Sequence, residues 1–129
     1  MVSIKVDISV GELVDKISIL EIKQEHIDDP DKLANVSNEL GILNDEFLHN
    51  VPKSDALDVL KDRLKAVNLE IWNLEDDIRD QERRRDFGEK FVQLARSVYK
   101  TNDKRAALKR EINVLLGSAI VEEKSYQEY

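Results

Sequence analysis

The chain contains no cysteine, so neither a disulfide framework nor a thiolate zinc site can hold it together. Only two prolines and four glycines interrupt 129 residues. Aromatic residues make up 5%, too few for the stacking platforms that grip single-stranded nucleic acid. No apolar run approaches the roughly 18 residues that would cross a bilayer. The first ten residues, with Lys5 and Asp7 among them, do not read as a signal peptide. A cytoplasmic protein without a membrane partner is therefore the expectation, and Asn35-Val36-Ser37 is a chance glycosylation sequon.

What is abundant is charge, at 36%, and apolar residues at helical spacing. Ser9-Val10-Gly11-Glu12 has the form of a capping box, opening a helix that carries Val10, Leu13, Ile17, Leu20 and Ile27. Asp28-Asp29-Pro30 ends it, and Asp29 with Pro30 starts a second helix carrying Leu33, Val36, Leu40, Leu43 and Phe47. Ser54 caps a third, longer helix. Leu57, Leu60, Leu64, Val67, Ile71, Leu74 and Ile78 form an unbroken heptad seam along it. Asp86-Phe87-Gly88-Glu89 resembles a second capping box, opening a helix with Phe87, Phe91, Leu94, Val98, Leu108, Ile112 and Leu115 on one face, and Gly117 as its C-cap. Val2, Ile4, Val6 and Ile8 alternate with polar residues and predict a short extended segment, with residues 118–121 as its mate.

The predicted fold is all-α, an antiparallel bundle of two shorter and two long helices in one domain. A short extended segment precedes it at residues 2–8, and a tail follows at 118–129. At 1.5 Å per residue the long helices span roughly 45 Å and the short ones roughly 27 Å, which leaves about 15–20 Å of long hairpin uncovered. An uncovered seam predicts self-association, most simply a homodimer, or docking of a protein partner.

Net charge is −7, unevenly spread. Residues 1–82 hold 9 basic and 20 acidic side chains, whereas residues 83–110 hold 10 basic and 3 acidic. The basic block is expected to be neutralised by the acidic stretch before it, and an external polyanion is the second choice. Nucleic acid is disfavoured because the chain as a whole is acidic.

Few chemical motifs emerge. Asp86-Phe87-Gly88 lacks every companion motif of a kinase. Glu46 and His49 have the spacing of a bundle di-iron ligand pair, but it occurs once instead of twice. Glu12 and Asp15 resemble half of the magnesium site of all-α nucleotide pyrophosphohydrolases, in the wrong order along the chain, and are the one alternative for a metal, with Glu75 as a further ligand. No cofactor is implied, and no nucleophile with a paired base stands out.

The most informative pattern is a polar stripe beside the heptad seam. Asn68, Trp72, Glu75 and Arg79 recur along the third helix, and Tyr99, Asn102, Arg105 and Lys109 along the fourth. In an antiparallel hairpin they converge where the apolar stripe lapses at Thr101 and Arg105. They read first as a hydrogen-bonded network that sets helix register. They read second as a cleft for a small anion such as a nucleotide or sugar phosphate.

The stretches Ser9 to Lys16, Trp72 to Arg79, Asp86-Phe87-Gly88, Tyr99-Lys100-Thr101-Asn102-Asp103 and Val121 to Tyr126 resemble a family of short proteins of unknown function from bacteria and their viruses. The resemblance covers nearly the whole chain and implies a stand-alone, single-domain protein. It transfers no activity and no functional residues.

Overall fold

A computed structural model describes residues 2–129. It contains α1 (Val10–His26), α2 (Pro30–Asn50), α3 (Asp55–Arg83) and α4 (Glu89–Leu116), and the described residues include no strand. The protein is all-α, with two shorter and two longer helices.

The caps follow the sequence closely at three of four helix starts. Ser9 Oγ accepts the Glu12 N–H at 3.1 Å, Asp29 Oδ1 accepts from Asp31 and Lys32, and Ser54 Oγ accepts from Leu57 at 3.1 Å. Only half of the first capping box forms, because the Glu12 carboxylate reaches Lys109 on α4, 2.6 Å away. The second box does not form. Gly88 is the N-cap of α4 and offers no side chain, while Asp86 Oδ1 accepts the Gly88 N–H at 3.2 Å. The short aspartate side chain closes on the amide two residues ahead, the local turn that competes with capping.

The ends of the long helices are also explicit. Arg85 follows α3 in the left-handed region at φ 54°, and the Asp86 N–H closes the turn on the Gln81 carbonyl at 3.0 Å. Gly117 does the same after α4 at φ 61°, where the absence of a Cβ removes the steric cost.

α1 is the central helix. It packs against α2, α3 and α4, and eight of its 17 residues are buried. The stretch Leu13 to Ile22 explains why, since Val14, Ser18 and Ile22 add a second buried face to the Leu13, Ile17 and Leu20 stripe. A helix with two buried faces must be covered by more than one neighbour. α2 buries only Val36, Leu40 and Phe47 along one stripe, against α1. α3 and α4 form an antiparallel hairpin across the other side of α1. The short linker Val51–Ser54 does not make α2 and α3 a packed pair, contrary to the simple expectation for sequential helices. α1 intervenes, and the linker tucks the Val51 side chain into the core. Lys61 Nζ lies 4.4 Å from the centre of the Phe47 ring and bridges the two helices at the surface.

The core runs through Leu13, Val14, Ile17, Leu20, Val36, Leu40, Phe47, Leu57, Leu64, Leu108 and Ile112. It stops short of the hairpin tip. Beyond Asn68, the seam residues Ile71, Leu74 and Ile78 of α3 are only half-buried, as are Phe91, Leu94 and Val98 of α4. Phe87 is more than half exposed. Gln81 is buried there, and its Oε1 has no partner among the described residues.

The N-terminal segment corrects one expectation. Residues 2–8 form no strand and do not pair with residues 118–121. Val2, Ile4 and Val6 are 95%, 82% and 72% exposed. Two short segments without a sheet to join gain too little to order one another.

Candidate functional site

The polar stripe resolves into three connected regions around α1. The first is a buried network. Asp15, 1% exposed, points from α1 toward the hairpin. Arg105 on α4 grips it from two directions, Nε donating to Oδ1 at 2.9 Å and Nη2 to Oδ2 at 2.5 Å. Asn68 on α3 donates from Nδ2 to the same Oδ1 at 2.9 Å and to Ser18 Oγ at 2.7 Å. Ser18 Oγ donates in turn to the Asp15 carbonyl at 2.8 Å. The bond to Asp15 holds the Arg105 guanidinium above the usual arginine range, against the effect of burial. Three helices are thus keyed at one point by a carboxylate whose oxygens both have donors.

Asp15 and Ser18 were not part of the stripe read from α3 and α4. Their signal is present nonetheless. They are polar residues three apart that fall on the buried faces of α1, between Val14 and Ile17 and beside Ile22, and such a pair must find partners once the helix is buried.

The second region is a cleft of about 410 Å³ between α1, α3 and α4. Ile19, Ile22, Ile71 and Trp72 make its apolar walls, while Glu75, Asp76 and Arg79 stand at its rim. Asn68 and Arg105 close its inner end. The Trp72 ring rests against His26, centroids 5.4 Å apart. Arg79 pairs with Glu75 at 3.0 Å on the same helix. Five stripe residues therefore share this cleft: Asn68, Trp72, Glu75, Arg79 and Arg105.

The other three, Tyr99, Asn102 and Lys109, face a separate groove along α4 under the C-terminal tail. Lys109 Nζ is held between Glu12 at 2.6 Å and Glu122 at 2.7 Å. Burial opposes its charge, but the hydrogen bonds to both glutamates outweigh burial and raise its pKa. Close by, the Gly11 N–H donates to Asn113 Oδ1 at 2.7 Å. α1 and α4 are so near here that a Cβ on Gly11 would fall on the Lys109 carbonyl oxygen. Arg105 lines both the cleft and the groove.

The expected neutralisation by the acidic stretch just before the basic block is met only at the end of α3, where Arg83 and Arg84 pair with Asp80. Among the described residues, no salt bridge joins the acidic stretch of α3 to the basic stretch of α4. Arg79, Arg83 and Arg84 pair within α3 and its cap, with Glu75 or Asp80. Arg105, Lys109 and Arg110 pair with α1 or the tail.

As for metals, Asp15 is occupied by Arg105, Glu12 by Lys109, and Glu75 by Arg79. No cluster of three or more His, Asp or Glu side chains suited to a metal ion occurs among the described residues. Glu46 and His49 share no cluster either, and His49 Nδ1 sits 2.6 Å from the Asp45 carbonyl oxygen. No helix is long and apolar enough to cross a membrane.

A model of a family of unknown function (DUF6165) matches residues 4–129. No curated protein and no solved structure matches the chain.

Proposed function

The chain belongs to that family of unknown function, and we propose that it acts as a non-catalytic helical module that self-associates through the distal half of the α3–α4 hairpin. One observation carries this reading. The heptad seam of α3 continues past Asn68 to Ile78, yet none of its apolar side chains is buried beyond that point. A second copy laid on the hairpin in two-fold symmetry would cover the same patch on both molecules. Charge supports the same partner. Glu70, Asp76, Asp77 and Glu82 on α3, and Lys90, Arg96, Lys100 and Lys104 on α4, have no salt bridge among the described residues. Turning one hairpin over on another brings the acidic helix of each copy to the basic helix of its mate.

Sedimentation equilibrium tests this reading. The wild type should approach twice its 14.9 kDa chain mass as concentration rises. Phe87→Asp with Val92→Asp, both at exposed apolar positions, should weaken the dimer at least tenfold while leaving the helical circular dichroism unchanged. A single-chain mass at every concentration would contradict the proposal.

A second reading, a small-molecule site in the cleft, is supported by its volume and by Trp72 as a flat apolar wall. Trp72 is the sole tryptophan, so its fluorescence reports occupancy directly. Nucleotides and sugar phosphates that shift its emission at saturable concentrations would favour this reading, and an unchanged spectrum would speak against it.

A further inference from the structure

The C-terminal tail follows α4 back from Gly117 and touches it almost entirely through charge. Glu122 meets Lys109, and Glu123 meets Arg110 at 2.6 Å. Lys124 pairs with Asp103, which also accepts the Tyr129 hydroxyl at 2.6 Å. The Tyr129 ring lies 5.4 Å from that of Tyr99. Residues 119–129 are nevertheless exposed throughout, with Ile120 at 42% and Tyr126 at 81%. A segment held by ion pairs and one ring contact, with little apolar burial behind it, is weakly bound and exchangeable.

The surface beneath it is firmer than the tail. Lys109 has only 11% of its side chain exposed and is fixed from below by Glu12. Asn113 also lines the groove, is 1% exposed, and its Nδ2 has no acceptor among the described residues. Buried donors beneath a loosely held acidic segment are the anatomy of a binding groove with a removable occupant.

We propose that the α4 groove around Lys109, Arg110 and Asn113 is a docking site for an acidic peptide segment of a partner protein, and that the chain's own tail covers it until displaced. The tail supplies the recognition chemistry: two adjacent carboxylates for Lys109 and Arg110, then an aromatic residue for Tyr99. Covering the groove in cis lowers the apparent affinity for any partner by the fraction of time the tail is docked. The centre of this groove, at Lys109 and Arg110, lies toward the base of the hairpin; only its far end, at Val98 and Tyr99, reaches the half proposed for self-association, and the docking proposal does not rest on that reading.

The full-length chain carrying Glu122→Gln and Glu123→Gln frees the groove without shortening the protein. A fluorescein-labelled peptide of residues 119–129 in its natural sequence is the probe, read by anisotropy. It should bind the released variant at least tenfold tighter than wild type and weaken with added salt. Adding Arg110→Glu to the released variant should abolish binding with no change in circular dichroism. The proposal is overturned if the released variant does not bind the peptide or binds it no tighter than wild type does. It is equally overturned if a scrambled peptide or a single-stranded oligonucleotide competes as well as the natural sequence, since the groove would then sense charge alone.

Discussion

Two halves of the same hairpin obey the same heptad rule and end in different states. Near the base, Leu57, Leu64, Leu108 and Ile112 are buried, and the polar residues between them are bonded to α1. Near the tip, Ile71, Leu74, Ile78, Leu94 and Val98 keep the spacing but remain half-open to water. The difference is α1, whose 17 residues cannot cover helices of 29 and 28. Apolar periodicity therefore specifies which face of a helix wants covering, while a third element decides where that face is covered.

The largest test of the comparison is at the base. Arg105→Ala leaves the buried Asp15 carboxylate without its partner and should cost about 3–5 kcal/mol in urea unfolding, and Asp15→Ala, which leaves a partly exposed Arg105, should cost less than that. Asp15→Leu with Arg105→Met should recover much of that loss, because an apolar pair requires no compensating charge. A loss below about 1 kcal/mol for either alanine variant would show that the network does not join the three helices. Comparing equivalent truncations sharpens the contrast. Leu64→Ala should cost about 2–5 kcal/mol at any protein concentration. Ile78→Ala should cost clearly less in dilute solution and more as concentration rises, if a second copy covers it. Equal, concentration-independent losses would erase the distinction between the halves.

Smaller effects come from the chain's turns and tail. Arg85 holds φ 54° at the C-terminal cap of α3, so Arg85→Gly should stabilise the protein by up to about 1 kcal/mol in thermal unfolding. The tail should respond to pH with a definite sign. The bonds from Lys124 and Tyr129 hold Asp103 below the usual aspartate range. Its contribution to docking is therefore fully present above the ordinary carboxylate value and lost as pH falls through the lowered one. The bond to Asp103 also raises the Tyr129 pKa, so that contact persists past the ordinary tyrosine value and is lost as pH rises through the raised one. Ring proton shifts of Tyr129 should show both limits, and a flat response at the acid side would deny the contact.

Much of this was legible in the chain. All four helices lie where periodicity puts them, though α4 starts at Glu89 and not at the Asp86 cap read from the sequence, and the stripe residues Asn68, Trp72, Glu75, Arg79 and Arg105 do meet in one cleft. Three things were not legible for identifiable reasons. The central position of α1 was hidden because a single stripe was enough to call it amphipathic, although Val14, Ser18 and Ile22 already filled a second face. Asp15 read as a metal-ligand candidate because spacing along one helix says nothing of a guanidinium 90 residues away. Tyr99, Asn102 and Lys109 line a groove with the C-terminal tail instead of the cleft, and the tail has no periodicity by which to place it.

Hydrogen exchange at increasing protein concentration tests the account most directly. Amides of residues 57–68 should be strongly protected throughout, while those of 71–98 should exchange faster in dilute solution and gain protection as copies associate. Equal protection of both stretches at all concentrations would contradict it.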